Sequence, residues 1–321
     1  MANAGFLQRD VIAGLIRQNV STMLDEFPVL SLFLSTTGGS PRMVPGELAA
    51  FDTEYHEKRL APFHAAPGIA DRVILTREGR IIVQMIYQQV KDAIRPNELA
   101  QCRMPGLPAE APYSQADVDA LVRTKIEKLT RAILRQREQD CCSMISSATF
   151  TRTVDGVSNT ITTGLTLNTS APIASWATAT TDIVMSFQQW SNIAKNDEIR
   201  EFMIRTPVVG GLITLPVGLV GPGLGGARIH VHKSHYKDSS GTKTYYWAED
   251  RMTFLSLSGG QDVLGTVSCP VIQPDRSLST ESIFPHTWSE DETGEHWVKV
   301  QGVFAPYLGD LDKILAFDLT P

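Results

Sequence analysis

The sequence contains few of the residues that hold small domains together through covalent or metal bonds. Its four cysteines stand at positions 102, 141, 142 and 269, two of them are adjacent, and no C-x-x-C spacing occurs. This pattern matches neither a disulfide framework nor a zinc cage, and it favours reduced thiols in a cytoplasm. The 321 residues are enough for one elaborated domain or for two modules that share a core.

Positive charge is also scarce. Lysine and arginine together number 29 against 35 aspartate and glutamate residues, and the formal net charge is -6 with neutral histidine. Such a chain lacks the basic field that draws proteins to nucleic-acid phosphates or to anionic lipid. We therefore exclude free nucleic acid as its ligand.

No segment predicts export or a membrane span. The apolar run Val11 to Ile16 is too short for the core of a signal peptide. Residues 207–227 carry no charge, but their seven glycines and three prolines would leave backbone groups unpaired in lipid. We interpret this stretch as a loop-rich apolar insertion in a soluble fold.

Catalytic motifs are missing as well. No G-x-S-x-G nucleophile elbow occurs. Gly221, Gly223 and Gly226 fit the G-x-G-x-x-G spacing, which binds dinucleotides only where a helix follows and places its N-terminus against the pyrophosphate. The segment that follows, 227–232, alternates like a strand, so we predict no dinucleotide site.

Three histidines raise the possibility of a metal site. His230 and His232 would share one face of a strand, and His235 follows at its end. Asp238 is the one carboxylate close in sequence, and no cysteine is near, so a fourth ligand is lacking. We interpret these residues as partly exposed strand histidines, and we predict no catalytic residue, no metal and no other cofactor.

What the sequence does contain is one long amphipathic helix. Ser114 and Asp117 form a capping box. Apolar residues then recur at helical spacing, at Val118, Leu121, Val122, Ile126, Leu129, Ile133 and Leu134. The pattern predicts a helix over about 114–146, about 45 Å long. We expect its apolar stripe to pack on a sheet begun by the hairpin that follows.

The other face of this helix carries charges of both signs. They are Asp119, Arg123, Lys128, Arg131, Arg135, Arg137 and Glu138. Mixed charges along one face are typical of a solvated surface. We therefore predict that this whole face is exposed to water.

The regions on either side of the helix differ in character. Residues 46–71 show neither a helical nor a strand period, which indicates a functional extension or disorder. After the helix, Asp155-Gly156 predicts a tight hairpin between Thr149 to Val154 and Val157 to Ile161. A strand at Asp182 to Met185 then leads into a second capping box, Ser186 with Gln189, and strands return over 227–257 and at the C-terminus.

This order of elements resembles that of tailed-phage major capsid proteins. It is most similar to the lambda-type family called major capsid protein E, which has the Hong Kong 97 fold. The most family-like piece runs from Asp182 to Ser186, through Trp190, to the polar break Asn196 to Arg200. Three further pieces are similar to the family in overall character rather than in invariant residues. They are the hairpin after the long helix, Trp176 in its proline and alanine setting, and the end from Val300 to Leu319.

The resemblance implies an α+β fold with five parts. These are an N-terminal arm (1–45), an extended loop (46–78), a peripheral domain (79–170 and 286–321), its long spine helix (about 114–146), and an axial domain (171–285). The extended loop would contact neighbouring subunits through Glu54, Tyr55, Glu57, Lys58, Arg59 and Phe63. The core of the spine helix would comprise Leu121, Ile126, Leu129 and Ile133.

The resemblance also implies a function. The chain would be the major capsid protein of a tailed bacteriophage or prophage, assembled in the host cytoplasm and located in the virion. Copies would form pentamers, hexamers and an icosahedral shell that encloses double-stranded DNA without reading its sequence. Scaffold, portal and decoration proteins would be its other partners, and it would be neither an enzyme nor a membrane protein.

Two alternatives remain open at this stage. The chain could be another self-assembling phage structural protein, such as a tail or decoration component. A metal-dependent enzyme built on the three histidines is the second alternative.

Overall fold

The computed structural model has the predicted α+β architecture. It describes residues 9–46, 48–56, 76–95, 98, 115–154, 157–162, 180–195, 197, 213–214, 227–237, 240–257, 263–272, 278–279, 281–290, 295–310 and 313–318. The chain divides into two compact units. The first unit comprises 1–47, 85–141 and 266–305, and the second comprises 48–84, 142–265 and 306–321.

Two helices open the first unit. Helix α1 spans Arg9–Met23, a short 3-10 turn follows at Leu24–Glu26, and α2 spans Pro28–Thr36. Proline is well suited to the first helical position because it has no N–H to satisfy there. Helix α1 buries Ile12 and Ile16, whereas most of the short α2 is apolar and buried.

The long helix α3 spans Gln115–Ser147 and confirms the predicted helix to within a residue at each end. Its 33 residues correspond to about 50 Å. Ile126, Leu129 and Ile133 are buried, and Leu121 is partly buried.

A mixed sheet of five strands forms the centre of the first unit. Its strands are β1 (Arg42–Met43), β4 (Ile86–Ile94), β13 (Leu264–Ser268), β16 (Ile283–Ser289) and β17 (His296–Leu308). The long strand β17 pairs antiparallel with β4 and with β16, and β13 lies between β17 and the short β1. Strand β17 is therefore the strand with which most of the others in this sheet pair.

Helix α3 contacts this sheet through buried polar side chains. The Lys125 ammonium donates to Asp92 Oδ2 at 2.9 Å and to the Ala93 carbonyl at 2.7 Å, both on β4, and to Glu98 Oε1 at 3.1 Å. Burial lowers the pKa of Lys125, but the hydrogen bonds to the two carboxylates raise it by more, so the net shift of the pKa is upward. The lysine is therefore held in its charged form.

The hairpin after α3 is confirmed, but it does not begin this sheet. Strands β5 (Thr149–Val154) and β6 (Val157–Thr162) pair with each other, and within the described ranges neither pairs with a further strand. The sheet that α3 packs on contains β4 and β17, so our expectation for its packing partner is wrong. A hairpin is a local structure, whereas the partner of a helix face comes from distant parts of the chain.

The prediction of a fully solvated polar face on α3 is also wrong. Arg137 is 3% exposed, and Glu138 is completely buried. Arg137 Nε donates to Gln88 Oε1 at 3.0 Å, and its Nη2 donates to the Ser282 carbonyl at 2.6 Å. Its guanidinium also lies over the Phe304 ring, 4.6 Å from the centroid. Buried charges are tolerated because they are hydrogen-bonded in this way.

A second five-stranded sheet organises the second unit. In spatial order it contains β18 (Ile314–Asp318), β12 (Arg251–Leu255), β7 (Asp182–Ser186), β9 (Arg228–His232) and β8 (Ile213–Thr214). Strands β7 and β9 run parallel, and β12 runs antiparallel to both β7 and β18. Every residue of β7 is buried, as its place at the centre of the sheet requires.

Helix α4 (Phe187–Ala194) follows β7 without a loop. Ser186 is its N-cap, and the Ser186 Oγ accepts from the Gln189 N–H at 3.2 Å. The strand and the cap predicted for this segment are both confirmed.

Three further two-stranded ladders complete the described strands. They are β2 (Leu48–His56) with β3 (Thr76–Gln84), β10 (His235–Lys237) with β11 (Lys243–Tyr245), and β14 (Val271–Ile272) with β15 (Leu278–Ser279).

At two places the strand pairing does not follow the predicted domain ranges. Strand β18 pairs with β12 and so belongs to the sheet of β7 and β9, although 286–321 was assigned to the peripheral domain. Strand β13 pairs in the other sheet, although it falls within the predicted axial range 171–285. Strand pairing over long sequence separations decides these memberships, and no local pattern encodes it.

Candidate functional site

Strands β2 and β3 form a two-stranded ribbon. The two strands pair from Leu48 opposite Gln84 to His56 opposite Thr76, and in the described residues neither pairs with a third strand. Nine residues correspond to a ribbon about 30 Å long. A two-stranded ribbon is marginally stable in water, and its open edges can accept further hydrogen bonds. This geometry suits a segment that another chain covers.

The base of the ribbon is anchored in the protein. Ala49 and Val83 are opposite each other in the register, and both are buried. Leu48, next to Ala49, is 62% exposed. The ribbon is therefore fixed at one end and leaves apolar surface open beside its anchor.

The predicted intersubunit residues fall partly on this ribbon. Glu54 and Tyr55 lie on β2, opposite Glu78 and Arg77 in the register. The remaining predicted contact residues, Glu57, Lys58, Arg59 and Phe63, lie outside the described residues. Strand β2 itself was not expected, because 46–71 shows no alternation of apolar and polar residues.

A buried carboxylate links two strands at the centre of the second unit. Asp182 Oδ1 lies 2.8 Å from His230 Nε2 and 3.3 Å from Arg228 Nε, and the Asp182 side chain is fully buried. The parallel register of β7 and β9 places Asp182 opposite Arg228. Sequence reasoning missed this cluster. The available signal was an aspartate at the start of a completely buried strand, because a buried carboxylate needs a hydrogen-bond or ion-pair partner.

The electrostatics of this cluster set a net direction for the pKa of Asp182. Burial raises it, but hydrogen bonds from His230 and Thr181 and the positive charge of Arg228 lower it by more. The net pKa therefore lies below the ordinary value of 3.8. A carboxyl with a depressed folded pKa contributes stability above its unfolded pKa, and that contribution is lost as the pH falls through the folded pKa.

We expect Asp182→Asn to lower the free energy of unfolding at pH 7 by about 1–3 kcal/mol, because the amide cannot replace the charge-assisted hydrogen bonds. The loss should shrink as the pH falls below the unfolded pKa of about 4 and then through the lower folded pKa, where the wild-type carboxylate itself becomes protonated. Urea unfolding of the unassembled subunit between pH 3 and 7 measures both effects. The exposed Asp25→Asn serves as the control, and an equal pH dependence in the two variants would contradict the assignment.

The three histidines that suggested a metal site have separate partners. His230 contacts Asp182, the His232 ring lies edge-on to Tyr246 with centroids 5.6 Å apart, and the His235 ring lies edge-on to Tyr245 at 6.1 Å. His230 is partly exposed and His235 is exposed, as the interpretation as partly exposed strand histidines expects, but that interpretation is wrong for His232, which is 4% exposed.

Two other sequence features are the glycine motif and the cysteines. The glycine motif at 221–226 lies outside the described residues, and β9, a strand rather than a helix, follows it. Cys141, Cys142 and Cys269 are free thiols and buried. Burial, with the negative charge of Glu138, raises the pKa of the Cys141 thiol well above its ordinary value, which disfavours the reactive thiolate.

No helix among the described residues is long and apolar enough to cross a membrane.

The fold has counterparts among solved structures, although no protein-family model matches the sequence and no curated protein matches it significantly. A phage-related protein from Bordetella bronchiseptica RB50 is similar over 98% of this chain and 98% of its own, with a TM-score of 0.52 and 10% sequence identity. A protein assigned as a prophage capsid protein from Escherichia coli CFT073 is similar over 77% of this chain and 80% of its own, with a TM-score of 0.50 and 13% identity.

At these identities the likeness shows a common fold. The expected α+β fold of the phage capsid type is therefore confirmed. It extends over essentially the whole chain.

Proposed function

We propose that this chain is the major capsid protein of a tailed bacteriophage or prophage. Many copies assemble into pentamers, hexamers and an icosahedral shell that encloses double-stranded DNA. The observation that carries the proposal is the fold shared with a protein assigned as a prophage capsid protein, together with the end-to-end similarity to a phage-related protein. The predicted resemblance to the major capsid protein E family supports it independently.

The parts of the molecule have distinct roles in this proposal. Residues 1–45 serve as the N-terminal arm, α3 as the spine, and the ribbon of β2 and β3 as part of the extended loop, which then reaches past the predicted range 46–78 to Gln84. Through this loop, Glu54, Tyr55, Glu57, Lys58, Arg59 and Phe63 contact a neighbouring subunit. The sheet that contains β7, β9, β12 and β18 forms the axial domain, with β18 added to the range first assigned.

The protein is a structural component in this proposal, not an enzyme, and it uses no cofactor. It assembles in the host cytoplasm and resides in the virion, with scaffold, portal and decoration proteins as partners. The net charge of -6 supports enclosure of DNA without tight binding, because a mildly acidic surface does not attract phosphate.

Negative-stain microscopy of the purified chain tests the proposal. Closed shells or capsomer-sized rings are the expected result. Tubes would indicate a tail component instead, and uniform small particles at every concentration would contradict self-assembly.

The ribbon provides a sharper test of the mode of assembly. His56 and Thr76 are opposite each other, so replacing residues 57–75 with Asn-Gly closes the ribbon with a two-residue turn. We expect this variant to melt like the wild-type subunit and to form no shells, because the removed segment contributes contacts to a neighbour and few to its own fold. Thermal melting and microscopy measure the two properties.

A second variant separates the chemistry of the segment from its length. Replacing 57–75 with a Gly/Ser linker of equal length keeps the spacing and removes the predicted contact side chains Glu57, Lys58, Arg59 and Phe63. We expect it to fail in assembly as well. Normal shells from either variant would show that the extended loop is dispensable.

A further inference from the structure

A cavity beside α4 has a largely apolar lining with polar side chains around it. It has a volume of about 290 Å³ and is lined by residues of α4 and of the segment that enters β12, among them Gln189, Ile193, Glu249, Asp250 and Met252. All of these residues belong to the second unit. We refer to this cavity as the acidic pocket.

The Gln189 side chain in the acidic pocket is buried without a partner. Gln189 is 6% exposed, and neither its Nε2 nor its Oε1 has a hydrogen-bond partner among the described residues. Only its backbone N–H is used, in the cap of α4. Buried side-chain amides are nearly always hydrogen-bonded, so this amide offers a donor and an acceptor to an incoming group. A peptide backbone supplies both complements.

The rim of the acidic pocket carries uncompensated negative charge. Glu249 and Asp250 are adjacent and exposed, and no cation within the described ranges forms an ion pair with either carboxylate. Phe187, at the start of α4, is 56% exposed. The pocket thus combines apolar surface with two carboxylates, which favours a cationic partner that also has apolar groups.

The same unit carries a surface of the opposite charge. Strands β10 and β11 form a small hairpin in which Lys237 and Lys243 are exposed and opposite each other, with the exposed Lys233 just before it. Tyr245 is 45% exposed, and the Lys243 Nζ lies 5.1 Å from its ring centroid. We refer to this feature as the basic hairpin. In the part of the chain that the structure describes, none of these lysines forms an ion pair.

We propose that the acidic pocket of one copy receives the basic hairpin of a second copy. Lys237 and Lys243 would pair with Glu249 and Asp250, and the hairpin backbone would satisfy the Gln189 amide. A contact between two different surfaces can be repeated head-to-tail from copy to copy, and it generates a ring where the rotation between copies closes. The inference rests on the proposed self-assembly and adds the surfaces through which copies meet.

Charge reversal tests this contact. Glu249→Lys with Asp250→Lys, and separately Lys237→Glu with Lys243→Glu, should each abolish rings and shells while the subunit melts as before. Combining all four substitutions restores complementarity and should restore assembly. Asp25→Lys with Glu127→Lys changes the net charge as the pocket variant does, at exposed sites of the first unit, and should assemble normally.

These variants can also overturn the inference. Normal assembly of either double variant would do so, and so would failure of the combined variant to recover. Equal loss in the Asp25 and Glu127 control would trace the effect to net charge and would contradict the proposed contact.

Gln189→Leu provides a test in which stability and assembly move in opposite directions. Removing an unpaired buried amide should leave the melting temperature of the subunit unchanged or higher. Assembly should nevertheless require a higher protein concentration, because the neighbour loses its hydrogen-bond partner. A lower melting temperature with unchanged assembly would show that Gln189 serves its own chain only.

Cross-linking separates this inference from the proposed function. A chain with Asp250→Cys and a chain with Lys243→Cys are mixed and mildly oxidised, and a disulfide-linked heterodimer should form in the mixture in preference to either homodimer. If the heterodimer forms but the wild type makes no shells, the contact stands and the capsid proposal falls. If the wild type makes shells and no heterodimer forms, the contact is wrong.

Discussion

Glu138→Ala should lower the free energy of unfolding of the unassembled subunit by about 3–5 kcal/mol, since it deletes a buried charge and leaves its partners unpaired. The Glu138 carboxylate is fully buried on α3, and it accepts from the Leu30 N–H at 2.6 Å and from the Val29 N–H at 3.2 Å. These are the first N–H groups of α2, because Pro28 has none and the N-cap residue Phe27 supplies no side-chain cap. Glu138 therefore caps a helix from a different part of the chain, where the helix dipole also favours a negative charge.

Urea unfolding of Glu138→Ala beside Glu127→Ala measures this contribution. Glu127 lies on the same helix but is exposed, so its replacement should change stability by about 0.5 kcal/mol or less. Glu138→Gln keeps an acceptor and should lie between the wild type and the alanine variant. Equal stability of the two alanine variants would show that the Glu138 cap contributes nothing.

Gly302→Ala should destabilise the subunit by about 1–3 kcal/mol through overpacking. Gly302 lies on β17 between Ile283 of β16 and Gln88 of β4. A Cβ at this position would overlap the Ser282 carbonyl oxygen and would stand 2.8 Å from Arg137 Nη2. Both groups are fixed, because Arg137 donates to that carbonyl, so neither can move without breaking the hydrogen bond.

Gly14→Ala is the matched control for this substitution. Gly14 lies inside α1, and a Cβ there would have no atom within 4 Å. Alanine should therefore stabilise this helix by about 0.5–1 kcal/mol relative to glycine. Thermal melting compares the two variants, and shifts of the same sign would refute the steric explanation for Gly302.

Several elements could be predicted from the sequence because their signals are local. A cap and a 3.6-residue period defined α3, a two-residue Asp-Gly turn defined the hairpin of β5 and β6, and Ser186 marked the start of α4. Each of these signals is carried by residues that are close together in the sequence. The fold class followed from the order of these elements.

The ribbon and the sheet memberships could not be predicted in this way. Strand β2 shows no alternation, and within the described residues it pairs with β3 alone, so no larger sheet sets an apolar face along it. Strand β18 joins β12 across more than fifty residues of sequence. The local sequence of an apolar C-terminal strand does not indicate which of the two five-stranded sheets it joins.

The sequence by itself determined the α+β class and the length of the spine helix, because helical period, capping and strand alternation are properties of neighbouring residues. Only the tertiary structure decided which charges are buried. Arg137 and Glu138 have the same local context as the exposed Arg135, and they are distinguished by Gln88, Ser282 and the N-terminus of α2. A buried charge requires its partners at hydrogen-bond distance, and these come from segments that only the folded chain brings together.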